Sequence, residues 1–507
     1  MGEETGEECG VIGVELKKDI SEYPDGGATN FVCRGLNSLQ HRGQLSAGSV
    51  SYDPSRKGGL RRFVDLGEAR EVFKDSHEGE HTAILNENRG TKAEGHVRYA
   101  TSGSRKKPRE ALVAEASPLL RSHIRGSKEF GISLNGNIAN QDELTKLIEG
   151  KADYHLKTEV DTELIQYFLA RSLSEHINGQ EDIDFAQVIG KAMAPLDGAY
   201  SMVFLNGRGD LVAWRDPNGF KPLCYGEDED IRVVASESVA LIKLGIKPEN
   251  IRDVRPGYFI HTNDTGFEEK KYSDSVRLAH CMFEWVYFAN PASTLENILV
   301  NEVRRKLGVE LAIIEPLKEQ LNESYVVTAV PNTSIPSAQS MAHKLGIEYR
   351  TSMLKNSGRT FIDSNEKRKR TLKDKYTFIP GSLVGLNVIV TDDSIVRGST
   401  IEELIHYIKD ICGANEVHVR SSCPPSKFPC FYGIDFPTMD ELIANRFAET
   451  ELEKDLAATI GADSVRYQTK GGLIRSIGLP ESNLCLACLN ADYPTPKGQE
   501  RYQELLS

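Results

Sequence analysis

Val388-Ile389-Val390-Thr391-Asp392-Asp393-Ser394-Ile395-Val396-Arg397-Gly398-Ser399-Thr400 is an apolar, β-branched run that ends in two adjacent carboxylates and a Ser/Gly/Ser/Thr loop. Ile401-Glu402-Glu403-Leu404-Ile405 then begins a helical pattern, with Thr400 and Glu403 at capping-box spacing. A strand, a small-residue loop and a helix N-terminus make an anion site, because backbone N–H groups face the anion and Gly398 permits close approach. The two aspartates would repel a phosphate, but beside a ribose they accept hydrogen bonds from neighbouring hydroxyls. Acids followed by an anion-cradling loop therefore describe a ribose 5-phosphate ligand. The plain alternative is an ordinary strand-to-helix turn with exposed acids, and the motif in its expected context argues against it.

Outward from this motif the chain alternates helix and strand. Helical patterns cover Glu302 to Ile314 and Ser337 to Leu345; strand patterns cover Tyr325 to Val330, Leu386 to Thr391 and Val417 to Ser421. Strands separated by helices predict a parallel, doubly wound sheet, with ligands at the carboxyl ends of its strands. Val330-Pro331-Asn332-Thr333-Ser334 falls at a second such end. The polar span from Asn356 to Thr377 lacks periodicity and reads as a mobile loop.

Before about residue 275 the rhythm differs. Val11-Ile12-Gly13-Val14 is a short strand following Cys9, and Ala199 to Leu205, Leu211 to Trp214 and Ile231 to Ala235 are further strands. Gly207-Arg208-Gly209-Asp210 supplies a turn between two of them. Ala28 to Leu39 and Thr162 to Leu173 read as amphipathic helices, so sheets layered with helices are expected.

A chain of 507 residues is too long for one core and implies several domains. Its formal charge of −13 argues against a nucleic-acid scaffold, and the densest basic run, Lys367-Arg368-Lys369-Arg370, is short and flanked by acids. Residues Met1 to Glu8 have neither a basic nor an apolar signal region, and no stretch is apolar enough to span a bilayer, so a cytoplasmic location is expected. Nine cysteines in such a chain read as thiols, a nucleophile or metal ligands.

The aspartate segment closely resembles the phosphoribosyl pyrophosphate (PRPP) motif of type I phosphoribosyltransferases. Val330 to Ser334 looks like that family's loop near pyrophosphate and Mg²⁺, and Lys355-Asn356-Ser357-Gly358-Arg359-Thr360-Phe361-Ile362 looks like the lid of its amidotransferase subgroup, two residues shorter than usual. The likeness implies PRPP binding by Asp392, Asp393, Ser394, Arg397, Gly398, Ser399, Thr400, Lys355 and Arg359. It implies Mg²⁺ near Thr333, Asp392 and Asp393.

In the first half, Glu8-Cys9-Gly10, Gln40-His41-Arg42-Gly43-Gln44, Gly95-His96-Val97-Arg98-Tyr99-Ala100-Thr101, Leu134-Asn135-Gly136-Asn137 and Val160-Asp161-Thr162-Glu163 come in an order similar to class II, N-terminal-nucleophile glutaminases. That resemblance implies removal of residues 1–8 as a propeptide. Cys9 would be the nucleophile, with its own amine as base. Asn135 and Gly136 would form an oxyanion hole, and Arg98, Thr101 and Asp161 would hold glutamine. His41 and Arg42 read equally as structural. Leu134 and Leu45 stand where the family usually has His and Glu.

Cys281, Cys430, Cys485 and Cys488 match the cluster ligands of a subset of the amidophosphoribosyltransferase family, implying a 4Fe–4S brace; zinc or no metal stays open. The remaining Cys33, Cys224, Cys412 and Cys423 have no such company.

The two halves together resemble the amidophosphoribosyltransferase family over Glu8 to about Thr495. The implied fold is an α+β N-terminal-nucleophile glutaminase domain (residues 9–275) followed by an α/β type I phosphoribosyltransferase domain with a mainly parallel sheet (276–507). The implied reaction opens purine synthesis: ammonia freed from glutamine at Cys9 passes internally to PRPP, giving 5-phosphoribosylamine, glutamate and pyrophosphate. A homo-oligomer, commonly a tetramer, and purine nucleotide effectors are implied as well. A non-catalytic PRPP- or nucleotide-sensing paralogue, or an ammonia-dependent enzyme with impaired glutaminase, is the alternative raised by the short lid, Leu134 and Leu45.

Overall fold

The computed structural model describes residues 9–507 apart from 57–58, 100–106, 152–154, 178–181, 264–265, 275–276, 357–374, 435 and 437. The expected propeptide, Thr101, Arg359, the basic run at 367–370, most of the lid and the boundary residue itself lie outside the described residues.

The first half is two antiparallel sheets with helices on their outer faces. One has seven strands, with Gly10–Leu16 paired to Ile231–Ala235 on one side and to Lys92–Arg98 on the other. The other has six, centred on Phe130–Ile138, Gly198–Asn206 and Leu211–Arg215. Alternation along Gly10–Leu16 explains the layering. Ile12, Val14 and Leu16 pack outward with Val32 and Leu36 of the Ala28–Ser38 helix, while Val11 packs inward with Val203 and Leu205 of the facing sheet. Phe130, Ile132 and Leu134 turn to the other outer face, under the helices Asp161–His176 and Phe185–Met193.

The second half holds a five-stranded sheet, all of whose pairings are parallel. Its order is Glu348–Tyr349, Tyr325–Ala329, Asn387–Asp392, Glu416–Ser421 and Ser464–Tyr467. Val388 and Val390 face the helices Ser399–Asp410 and Leu452–Ile460; Ile389 faces the helix Ile335–Leu345. The expected helix from Glu302 begins slightly earlier and spans Val300–Ile313. At the end of the polar span, Tyr376–Phe378 forms a strand against Met353–Lys355 instead of continuing as loop.

The expected capping box is not formed. Gly398, with φ of +87°, takes the cap position, so the helix starts at Ser399 and places Thr400 and Glu403 inside it. A left-handed glycine ends the loop more tightly than a side-chain cap, and Glu403 instead accepts from the Tyr407 hydroxyl.

The halves share a core. Phe220 stacks on Tyr432 with ring centroids 4.3 Å apart, and the Asn137 amide donates to the Phe431 carbonyl at 3.0 Å; within the second half, His280–Cys281 pairs in parallel with Leu484–Cys485. Deeper in, the Arg42 guanidinium donates to Glu237 (2.6 Å), to Glu284 (2.9 Å) and to the Cys9 carbonyl (3.0 Å). Glu237 and the Arg42 side chain are wholly buried. Burial alone would raise the Glu237 carboxyl, but His41 and Arg42 hold it well below the usual carboxylate range. Removing the cation strands two buried carboxylates, so Arg42→Met is expected to cost about 3–5 kcal/mol in denaturant unfolding. A loss near zero would mean that the node contributes nothing.

Candidate functional site

Two cavities meet the sequence motifs. The first, about 300 Å³, lies where the first half's strands end. Cys9 precedes Gly10–Leu16, Arg98 ends Lys92–Arg98, Gly136 lies late in Phe130–Ile138, and Asp161 opens the helix Asp161–His176; all four line it. Gly136 has φ of +151°, and a Cβ there would run into the Ala199 carbonyl, so only glycine fits. Asn135 is fully buried beside it and is not part of the lining. His96, also on the cavity wall, contacts the Leu134 carbonyl through Nε2 at 2.9 Å. Leu134 packs in the outer core and Leu45 donates its N–H to the Arg98 carbonyl, so both departures from the usual pattern are backbone-anchored.

Three residues here had no sequence signal. Arg98 donates to Glu115 at 3.3 Å, and Lys107 joins Glu115 (2.5 Å) to Glu159 (2.8 Å). Their positions come from a loop crossing that local periodicity does not encode. Burial raises Asp161 to about 7, against the opposing Ile138 N–H, which donates to it at 2.7 Å. Such a carboxyl is poised to ionise when a cation arrives.

The second cavity, about 320 Å³, opens at the carboxyl ends of Tyr325–Ala329 and Asn387–Asp392. Asp392, Asp393, Ser394, Gly398, Thr400, Thr333 and Lys355 line it; Arg397 and Ser399 do not, and Arg397 lies 4.0 Å from Glu441. Asp393 accepts from the Thr333 and Ser394 hydroxyls, and its own N–H donates to Asp392. Burial, then the neighbouring charge of Asp393, pushes Asp392 well above the usual range. Burial also raises Asp393, against the Thr333 and Ser394 hydrogen bonds and the charges of Arg304 and Lys355. Two crowded carboxylates and a hydroxyl suit a hard divalent cation or a pair of sugar hydroxyls.

His41, Tyr287, Asn290, Arg304, Lys375 and Tyr376 complete this wall. Arg304 donates to the Trp285, Tyr287 and Ala289 carbonyls around the π-helical turn Glu284–Phe288. The sequence did hold a sign of it: Arg304 interrupts the apolar stripe Val300, Val303, Leu307 and Leu311.

The four cysteines of the expected cluster converge. Cys281 is the register partner of Cys485, and the Cys488 thiol, raised first by burial, also feels Cys485, Cys423, Cys430 and Cys281. Cys423, which the sequence left alone, is thus a fifth neighbour. No three of the four expected ligand sulfurs lie within 4.8 Å of one another. The one tight ligand group among the described residues, Cys33, Asp75 and His81, is internally hydrogen-bonded: Cys33 donates to Asp75 at 3.5 Å, and His81 Nδ1 contacts the Phe73 carbonyl at 2.6 Å.

The family described as a glutamine amidotransferase domain matches residues 112–243. An amidophosphoribosyltransferase of Methanothermobacter thermautotrophicus is 35% identical over 500 residues, covering 98% of this chain and 96% of the relative. One from Bacillus subtilis is also 35% identical, covering 98% and 95%. Two solved structures superpose over 96% of the chain at 32% identity. One is a glutamine PRPP amidotransferase from B. subtilis complexed with ADP and GMP (TM-score 0.79, 97% of that chain). The other is described as the allosteric regulatory enzyme of purine biosynthesis (TM-score 0.80, 96% of that chain).

Because Asp161 is held above its unfolded value, its ionised form costs stability as pH rises from about 4 to about 7. The full cost above that range is on the order of 4 kcal/mol. Asp161→Asn is therefore expected to raise the melting temperature relative to the parent at pH 8 and to leave little difference at pH 4. Equal shifts at both would contradict the assignment.

Proposed function

Since this chain belongs to the amidophosphoribosyltransferase family, we propose that its two cavities divide the family's reaction between them. The observation that carries the reading is that one chain gathers Cys9, Arg98, Gly136 and Asp161 around one cavity and Asp392 and Asp393 around another. In the first, the Cys9 thiolate attacks the glutamine side-chain amide, with the amine freed by loss of residues 1–8 as base. The Gly136 N–H and the Asn135 amide steady the oxyanion, worth about 3–4 kcal/mol for a lost donor. Arg98 holds the substrate carboxylate in competition with Glu115, Thr101 contributes a further contact, and Asp161 takes the ammonium. Ammonia leaves, and water resolves the glutamyl thioester.

In the second cavity Asp392 and Asp393 accept the ribose hydroxyls. The loop through Ser394, Arg397, Gly398, Ser399 and Thr400 cradles the 5-phosphate. Lys355 and Arg359 neutralise the departing pyrophosphate as ammonia attacks C1. Mg²⁺ held near Thr333, Asp392 and Asp393 would supply Lewis-acid stabilisation of that leaving group. A short internal passage is supported by adjacency: Arg42 holds the Cys9 carbonyl while His41, the preceding residue, lines the second cavity.

The proposal divides the chain near residue 275 and makes Cys281, Cys430, Cys485 and Cys488 ligands of a structural 4Fe–4S cluster, supported by their convergence. It extends to a cytoplasmic homo-tetramer. Purine nucleotide control is supported by the ADP and GMP of the solved relative. No helix among the described residues is long and apolar enough to cross a membrane.

Phosphoribosylamine formation, assayed with glutamine and then with ammonium, tests the division. Cys9→Ala is expected to abolish glutamine use and spare ammonium use. Asp392→Asn with Asp393→Asn is expected to spare glutamine hydrolysis and lose transfer. Equal loss of both activities in either variant would contradict it, and no product from either nitrogen source would favour the sensing role. Intact mass of native and metal-stripped protein reports propeptide loss and cluster content; stoichiometric zinc would overturn the iron–sulfur assignment.

A further inference from the structure

Between the two sheets of the first half the interior is mostly apolar, with Val11, Val50, Val203 and Leu205 in contact. Behind Cys9 it is not. Glu94 and His96, alternate residues on one face of Lys92–Arg98, look across at Ser133 and Asn135 of Phe130–Ile138, with Ser46 on the neighbouring strand. None of these five is more than 2% exposed. Neither Glu94 oxygen has a hydrogen-bond partner among the described residues, nor do His96 Nδ1, the Ser133 and Ser46 hydroxyls, or either end of the Asn135 amide. Ser133 lies close enough to Glu94 to favour its ionised form against burial, though its hydroxyl falls outside strict hydrogen-bond geometry.

The space for this carboxyl is built in. Gly131, on the facing strand, is where a Cβ would collide with Glu94 Oε1. The protons are also assigned by the surroundings. The Leu134 carbonyl can only accept, so His96 Nε2 carries the hydrogen and Nδ1 is left as an acceptor. Burial drops the His96 imidazole to about 4 and lifts Glu94 well above the usual carboxylate range, and a carboxyl buried with no cation beside it is favoured in its protonated, neutral form. The next residue on that face, Arg98, is committed to Glu115. A neutral acid offers a hydroxyl donor; Nδ1 and the Asn135 oxygen need one. Buried polar groups that make no direct bond to one another are those that ordered water bridges.

We propose that Glu94 is a positioning residue for the Cys9 cavity, anchoring through ordered water a hydrogen-bonded chain to His96 and the Asn135 amide and so orienting the groups that face the reacting carbonyl. This rests on the glutaminase reading of that cavity. A carboxyl serving no such chain would be an uncompensated burial, which leucine would replace at no functional cost.

The test compares the full-length wild type with Glu94→Gln and Glu94→Leu, measuring kcat and KM for glutamine hydrolysis and the rate of ammonium-dependent transfer. Glutamine, able to donate and accept, is expected to keep kcat near the wild-type value. Leucine is expected to lower kcat for hydrolysis about tenfold or more, with KM and ammonium-dependent transfer little changed. Wild-type kcat in Glu94→Leu, or parallel loss of both activities, would overturn the proposal. Infrared spectra at neutral pH are expected to show a protonated carboxylic acid band that Glu94→Gln removes; no such band would overturn it as well. A wild type that hydrolyses no glutamine defeats the reading of the cavity itself, whereas an active wild type with an indifferent Glu94→Leu defeats this proposal alone.

Discussion

A guanidinium with no contact with water persists in a protein only when its charge and its donors are met, and Arg42 has both conditions satisfied from three directions. The Cys9 carbonyl comes from the first strand. Glu237 comes from the start of the helix Ser238–Lys243, and Glu284 from the π-helical turn that begins the second half. Glu237 also collects the Asn290 N–H at 2.8 Å, the Ser293 hydroxyl at 2.6 Å and a His41 ring nitrogen at 2.7 Å. If the halves slid apart, Glu284 would be drawn from Arg42, and the Asn290 N–H and the Ser293 hydroxyl from Glu237. Cys9 and the wall of the far cavity are thereby held in one frame.

The far cavity shows the complementary strategy. Its acids are crowded rather than paired, and the cations that moderate Asp393, Arg304 and Lys355, come from a helix and a short strand outside the motif. Arg304 also ties the three carbonyls of the π-helical turn. One side chain therefore joins the turn bearing Glu284 to the electrostatics of Asp393. The site stays unsatisfied in itself, which is the condition for a ligand or an ion to contribute its binding energy there.

The parallel sheet was legible because its strands are apolar on both faces and its loops carry the ligand chemistry. Tyr325–Ala329, Asn387–Asp392 and Glu416–Ser421 fall within a residue or so of where β-branched runs place them. The strands Ser46–Tyr52 and Lys92–Arg98 were not legible as strands. Their buried faces carry Ser46, Glu94, His96 and Arg98, so the apolar alternation that marks a half-buried strand is missing where function puts polar groups inside. The same reasoning separates the site residues. Cys9, Gly136 and the aspartates sit in motifs whose chemistry is local, whereas Glu115, Glu237 and Asn290 matter through partners that the chain brings from tens or hundreds of residues away.

The chain's last helix, Pro496–Leu506, does not remain with the half that precedes it. The Lys497 N–H donates to Asp197 at 3.0 Å, its ammonium reaches Glu143 at 2.7 Å, and Arg501 donates to the Ala139 carbonyl at 2.9 Å. During synthesis on the ribosome, the surface around Ala139 and Glu143 emerges long before its cover has been made. That surface gains its cover only once residues 354 to 362 positions further along have been made. A nascent chain stalled before Pro496 would present it to chaperones or to other chains.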